Sequence, residues 1–241
     1  MERAYHKWFS KELERDMELL VWGHSGAPVI FFPTRSARFY DYEDWKIIEA
    51  LRDKIESGQL QIFCVDSVDD ESFYSKDAPS ARIKRHLQYE KYILNEVIPL
   101  IRNLNPDQRL IAAGCSLGGY HAVNIAFKYP FIFTKVVGMS ARYDLTISLP
   151  HFNNLFDGYF NEDIYFNMPN CYIPNIHDEQ LLNQLRSLSI IIVIGKEDAF
   201  LENNKQLSLS LHEKGINHDF YEWDEEAHRP RYWRRMVQLY L

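Results

Sequence analysis

Three side chains in this sequence have the types and the placement for nucleophilic chemistry: Ser116 in GCSLGGYHA, Asp198 in IIIVIGKEDAF and His228 in EEAHRP. A serine hydroxyl attacks a carbonyl well only when a neighbouring imidazole takes its proton, and a carboxylate behind the imidazole fixes its tautomer and balances its charge. The argument therefore turns on whether the chain can bring the three together.

Ser116 is the centre of Gly114-x-Ser116-x-Gly118. That spacing suits a strand that turns abruptly into a helix, with the serine strained at the apex. Glycines two residues to either side remove Cβ atoms that would collide with the adjoining chain. The N–H of Leu117 then falls in the first helical turn, where unpaired donors and the helix dipole favour negative charge, so Leu117 is expected to form half of an oxyanion hole. Chance alone would supply G-x-S-x-G in somewhat under roughly one chain in ten of this length. A glycine-containing turn before an ordinary core helix is the alternative, and the surrounding elements must decide.

Those elements read as strands alternating with helices. Residues 4–10 and 16–23 suit an antiparallel hairpin, and PVIFF (28–32), LQIFCVD (60–66), RLIAAG (109–114), 134–139, SIIIVI (189–194) and 218–223 suit further strands. Helical patterns cover 45–55, 81–103, the stretch after Ser116 to Lys128, 201–214 and 232–241. Continuous apolar runs are what a parallel sheet buried on both faces requires. The expected fold class is therefore α/β, with a mostly parallel central sheet, an N-terminal antiparallel hairpin and helices on both faces; with the serine elbow ahead of its helix, the arrangement expected is an α/β-hydrolase fold. Residues 1–241 are expected to form a single domain. An aromatic-rich stretch at 141–188, holding Phe152, Phe156, Tyr159, Phe160, Tyr165, Phe166 and Tyr172, interrupts the alternation. It reads equally as an insertion over the sheet edge and as an apolar cluster packed on the sheet.

Ligands in such sheets gather at the carboxyl ends of the parallel strands, which sorts the candidates. His228 follows the last strand and precedes the last helix; His212 lies within a helix, His218 opens a strand, and His121 is carried into the helix after Ser116, to pack or to reach solvent. His24 follows an antiparallel strand and stays a weaker candidate. Among the acids Asp198 is favoured because it lies just beyond SIIIVI, with Asp144 the principal rival and Glu197 a lesser one. The second oxyanion donor should come from the loop after PVIFF, with Arg35 first and Thr34 or Ser36 next. The order Ser116, Asp198, His228 is that of α/β-hydrolases.

A net charge of −7 argues against nucleic acid or an anionic membrane surface as the main partner. Three cysteines with no C-x-x-C spacing indicate neither a disulfide framework nor a zinc site. The N-terminal residues lack the apolar core of a signal peptide, and no run is long enough to span a bilayer, so the expected setting is cytoplasmic. Exposed aromatics leave a homodimer open.

On FFPT with RFYDYED, FCVDSVDDESFY, HLQYEKYILNEVIP, GCSLGGYHA, VIGKED and AHRPRYW, the chain resembles the bacterial esterase D-like group of the α/β-hydrolase superfamily, which is related to S-formylglutathione hydrolases and enterochelin esterases. The resemblance covers nearly the whole chain, and Ser116, Asp198 and His228 match the group's triad positions. It implies a carboxylesterase-type serine hydrolase acting on a small-molecule ester, with no metal or organic cofactor. The group commonly carries a glycine-rich turn at the histidine; here the turn is Glu225 to Pro230. Two other functions remain open: an acyltransferase using the same acyl-enzyme, as in the similarly folded mycolyltransferases, and a catalytically silent scaffold that binds a partner or ligand. Tyr120, Phe73 and Tyr74 are candidate pocket walls, or ordinary core.

Overall fold

In the computed structural model, which describes residues 1–241, eight strands follow one another as β1 (Arg3–Ser10), β2 (Arg15–Trp22), β3 (Ala27–Phe32), β4 (Leu60–Val65), β5 (Ile111–Cys115), β6 (Lys135–Met139), β7 (Ser189–Gly195) and β8 (Asp219–Trp223). They form one sheet in the order β1-β2-β4-β3-β5-β6-β7-β8. The expected hairpin is present: β1 and β2 pair antiparallel from Arg3↔Trp22 to Ser10↔Arg15, and β2 pairs antiparallel with β4. Every other pairing is parallel. Strand β5 thus lies mid-sheet between β3 and β6, and the exits of β3, β6, β7 and β8 all open on the edge where Ser116 follows β5.

The central strands are buried along their whole length. Their alternate residues feed two different cores, as a side-chain period of two requires. Ile30, Phe32, Phe63, Val65 and Ala112 belong to one, and Val29, Phe31, Ile62, Cys64, Ala113 and Cys115 to the other. Covering the sheet are the helices α1 (Pro79–Tyr92), α2 (Ile98–Leu104), α3 (Leu117–Lys128), α4 (Glu179–Ser187), α5 (Leu201–Glu213) and α6 (Pro230–Tyr240). No helix is long and apolar enough to cross a membrane.

Three local features depart from the sequence reading. The helix expected over 45–55 is broken into short turns at Asp41–Asp44, Ile47–Ala50 and Arg52–Glu56, with Lys46 left-handed at φ 59°. Tyr42 and Ile47 are both buried; five residues apart on one helix they would point about 140° away from each other, and the left-handed residue brings both inward. The helix expected over 81–103 contains a π-helical stretch, Ile93–Val97, between α1 and α2. Pro99 lies just beyond; its ring and missing N–H disfavour a regular turn, and the wider turn accommodates them. Helix α4, inside the 141–188 stretch that interrupts the alternation, is capped by Asp178, whose carboxylate accepts from Gln180 N at 2.8 Å and Leu181 N at 3.3 Å. That N-cap signal precedes the apolar spacing of Leu182 and Leu185 and was readable in the sequence. Before α4, Leu145, Leu155, Phe156, Ile164 and Met168 pack with Phe73, Ile83, Leu117 and Tyr120 as a third apolar cluster.

The π stretch aims Glu96 at the hairpin. Its carboxylate accepts from Trp8 Nε1 at 2.7 Å, Ser10 Oγ at 2.9 Å and Glu12 N at 3.0 Å. Glu96→Ala strands these donors and is expected to destabilise the fold by about 2–4 kcal/mol. Urea unfolding should show this as a lower midpoint at unchanged slope; an unmoved midpoint would mean that water replaces the carboxylate at no net loss.

Candidate active site

Ser116 links β5 to α3 with φ 56° and ψ −124°, a conformation that costs a non-glycine residue free energy and persists only where its surroundings enforce it. The enforcement is visible. Ser116 N donates to Met139 O at 2.8 Å, and its carbonyl accepts from Gly119 N at 3.0 Å. The flanking glycines are needed for close approach: a Cβ on Gly114 would lie 2.2 Å from Gly118 C, and one on Gly118 would lie 2.1 Å from Phe32 O. Between the same two strand ends, the Tyr42 hydroxyl donates to Phe32 O at 2.7 Å and accepts from Cys115 N at 3.0 Å. The elbow and the loop after β3 are thereby held to each other.

Three of the side chains singled out from the sequence meet here. His228 Nε2 lies 2.9 Å from Ser116 Oγ, and His228 Nδ1 lies 2.7 Å from Asp198 Oδ2. The other carboxylate oxygen accepts from Phe200 N at 2.9 Å, and the Asp198 side chain is fully buried. An ionised Asp198 can only accept, so Nδ1 carries the proton and Nε2 is left free to take one from the serine. The rivals are elsewhere. Asp144 accepts from Thr146 N at 2.8 Å and Thr146 Oγ1 at 2.6 Å, and Glu197 is exposed. His218 is 2.6 Å from Ser208 Oγ.

Strand ends and one turn bring His228 to this position. Lys196 N donates to Trp223 O at 2.8 Å and Glu197 N to Glu225 O at 3.0 Å, joining the exits of β7 and β8. A Cβ on Gly195 would stand 2.0 Å from Glu226 O, so glycine is what admits the turn. Without glycines of its own, the turn puts Glu225 and Ala227 at φ 63° and 50°. The buried Ser140 hydroxyl donates to Ala227 O at 2.7 Å and accepts from Trp233 Nε1 at 3.1 Å, bracing the strained backbone beside the imidazole.

The loop after β3 also resolves. Ser36 N donates to Asp69 Oδ2 at 3.1 Å and is committed, whereas the N–H groups of Thr34 and Arg35 meet no acceptor in the protein. Leu117, first in its helix, has no helical partner for its own N–H. Asp69 is buried and its second oxygen lies 3.3 Å from His121 Nε2 on α3, so His121 packs and ties this loop to the elbow helix.

A cleft of about 320 Å³ opens over Ser116. Tyr74, Phe152, Phe200 and Trp233 supply its apolar walls, and Arg35 and Arg142 enter it as well. Phe73 and Tyr120 are core residues instead; the Tyr120 hydroxyl donates to Asn167 O at 2.8 Å. Arg142 lies three residues beyond β6 and was not singled out from the sequence, because a serine nucleophile calls for an acid and a histidine at strand ends and gives no reason to expect a cation there. Nothing in the sequence marked Ser140 or the Asp69–His121 pair. No cluster of His, Cys, Asp or Glu is arranged to hold a metal ion.

Burial pushes the thiols of Cys64 and Cys115 far up, and that of Cys171 up to about 11. Iodoacetamide near about pH 8 needs thiolate and is expected to leave ester turnover intact. Alkylation at Cys115 with loss of turnover would instead show that this buried thiol is reachable and reactive.

Residues 10–235 match the family described as "Putative esterase". The chain belongs to that family. It is an esterase-type enzyme, and its family implies a small-molecule ester as substrate. Among solved structures, a ferulic acid esterase superposes with TM-score 0.78 at 18% identity, over 99% of this chain and 95% of that one. The fluorophosphonate-binding serine hydrolase F of Staphylococcus aureus gives 0.72 at 17%, over 99% and 96%. An S-formylglutathione hydrolase from Agrobacterium tumefaciens gives 0.74 at 15%, over 98% and 91%. At these identities the likeness is one of fold, and the fold is that of the α/β-hydrolase esterases. A sequence comparison with curated proteins finds no match.

Proposed function

We propose that this esterase cleaves carboxylic esters through a Ser116–His228–Asp198 triad and an acyl-enzyme intermediate. The observation that carries the reading is the unbroken chain of hydrogen bonds from Ser116 Oγ through His228 to Asp198, at 2.9 and 2.7 Å, which starts from a serine held at φ 56°. Residues 1–241 are read as one α/β-hydrolase domain, with 141–188 supplying Phe152 to the cleft wall and Helix α4 to the sheet's cover.

His228 Nε2 takes the serine proton as Oγ attacks the ester carbonyl. The tetrahedral oxyanion is held by the N–H of Leu117 and that of Arg35, with Thr34 the adjacent alternative; a single such donor is typically worth about 2.7–4 kcal/mol in the transition state. The imidazolium then gives its proton to the leaving alkoxide, so an alcohol departs and the acyl group stays on Ser116. Water, deprotonated by the same imidazole, attacks the acyl-enzyme, and the carboxylic acid leaves as the serine regains its proton.

The test is labelling with a fluorophosphonate followed by peptide mapping. Label is expected on Ser116 and on no residue of Ser116→Ala; a folded protein that takes no label would overturn the reading. Adding an alcohol acceptor during turnover separates hydrolysis from acyl transfer, since a hydrolase gives free acid as the main product at low acceptor concentration.

A further inference from the structure

Arg142 holds the most unusual charge in the molecule. It is 7% exposed, and its hydrogen bonding within the protein is a single donation from Nη1 to Asn153 O at 3.3 Å, with the guanidinium 5.4 Å from the centre of the Phe200 ring. No carboxylate comes within ion-pair distance of it. Among the half-buried arginines Arg38 meets Asp66 and Glu18, Arg82 meets Asp157 and Arg85 meets Glu71, while Arg102 and Arg234 keep contact with solvent and donate to the carbonyls of Asp107 and Trp45 at 2.9 and 3.0 Å; Arg142 is the one arginine that is buried. Arg35, which is exposed, also lines the cleft without a carboxylate partner, its guanidinium 5.5 Å from the centre of the Tyr74 ring.

The nearby acids make their short contacts elsewhere: Asp198 with His228, Asp144 with Thr146, Asp69 with the N–H of Ser36, and Glu226 with Arg229 at 3.9 Å. Asp144 acts on Arg142 only through space, without an ion pair. A guanidinium has five N–H donors, and burying its charge without a partner is costly. Burial accordingly pulls the Arg142 guanidinium below its ordinary value; Tyr74, Asp144 and Tyr120 oppose this in part, and Arg35 adds to it. In a chain of net charge −7, two unmatched cations at one cleft, beside the serine, form a local field of the opposite sign that selects anionic ligands.

We propose that the ester taken at Ser116 carries an anionic group of its own, a carboxylate or a phosphate, and that Arg142 with Arg35 binds this group while the ester carbonyl faces the serine. The inference rests on the reading of Ser116 as the nucleophile for the step being selected, but anion binding at Arg142 can be measured apart from it.

Three anionic esters are compared with neutral partners of the same shape. Mono-p-nitrophenyl glutarate, with p-nitrophenyl 5-methylhexanoate as its partner, puts the anion on the acyl side. For the alcohol side, 4-acetoxybenzoate is set against 4-isopropylphenyl acetate, and 4-acetoxyphenyl phosphate against 4-tert-butoxyphenyl acetate. After subtraction of spontaneous hydrolysis, at least one anionic ester is expected to exceed its partner about tenfold or more in kcat/KM, chiefly through KM. In Arg142→Met that ratio should fall to about one; as a ratio it is insensitive to any general loss of activity. Arg142→Lys keeps the charge without the planar fork and should retain part of the preference, which gives the same reading if Arg142→Met does not fold.

The three anionic probes are also titrated calorimetrically into Ser116→Ala, with binding about tenfold tighter than the neutral partners expected for the preferred one, and lost in the double variant Ser116→Ala/Arg142→Met. Neutral esters turned over as well as every anionic one, with no preference in binding, would overturn the anion site alone. Absence of all turnover with selective anion binding intact would overturn the role of Ser116 and leave the anion site standing.

Discussion

Ser116→Ala is expected to lower kcat for any accepted ester by about four orders of magnitude or more, and His228→Ala by a similar factor. The double variant should be little worse than either single one, because serine and imidazole act as one unit and the loss of either removes the same step. The reason lies in geometry already present without substrate: Oγ and Nε2 are at hydrogen-bond distance, and the Nδ1 side is committed to a buried carboxylate. Removing the hydroxyl takes away the atom that bonds to the acyl group; removing the imidazole leaves a serine with no base. What remains would come from the oxyanion donors and from binding. The measurement is p-nitrophenyl ester turnover at saturation, with the folded fraction checked by unfolding. A Ser116→Ala protein that keeps more than about one part in a hundred of its kcat would sink the proposed chemistry.

How much of this site could be read from residues depends on what each role requires. Ser116, Asp198 and His228 could be selected from the sequence because their positions follow from strand ends, and strand ends are marked by apolar runs such as SIIIVI and PVIFF. The family assignment agrees with the resemblance seen in the motifs, and the sheet has the expected hairpin and parallel core. Ser140 was beyond reach, since its role is to brace Ala227 from 87 residues away, a relation that exists only after β6 and the turn beyond β8 are side by side. Asp69 and His121 are 52 residues apart and meet for the same kind of reason. Lys46 at φ 59° was hidden differently: the apolar spacing over 45–55 fits a helix, and the left-handed residue is explained only by the preceding turn, whose Tyr42 must reach the core together with Ile47. The glycine-poor turn at His228 is a case where a local rule is overridden. Glu225 and Ala227 take left-handed angles, and the bond from Ser140 together with the pairing of the β7 and β8 exits offsets the strain.

Asp198→Asn is expected to cost about a thousandfold to ten-thousandfold in kcat with a much smaller change in KM. An amide at this position has one oxygen and one NH2 group. Its oxygen can still accept from Phe200 N, where Asp198 Oδ1 now lies at 2.9 Å, and this leaves the NH2 group facing His228 Nδ1. A donor there forces Nδ1 to be the acceptor, so the proton moves to Nε2, and the nitrogen facing Ser116 can no longer take the serine's proton. The ring stays in place with the wrong tautomer, which is why kcat rather than binding should carry the loss. The same substitution also removes the negative charge that stabilises the imidazolium in both half-reactions. Asp144→Asn and Glu197→Gln provide the contrast: one acid is bound to Thr146 and the other faces solvent, and neither should change kcat by more than about twofold. A loss in Asp144→Asn as large as that in Asp198→Asn would move the acid of the triad to the strand β6 exit and require His228 to turn away from the partner it has here.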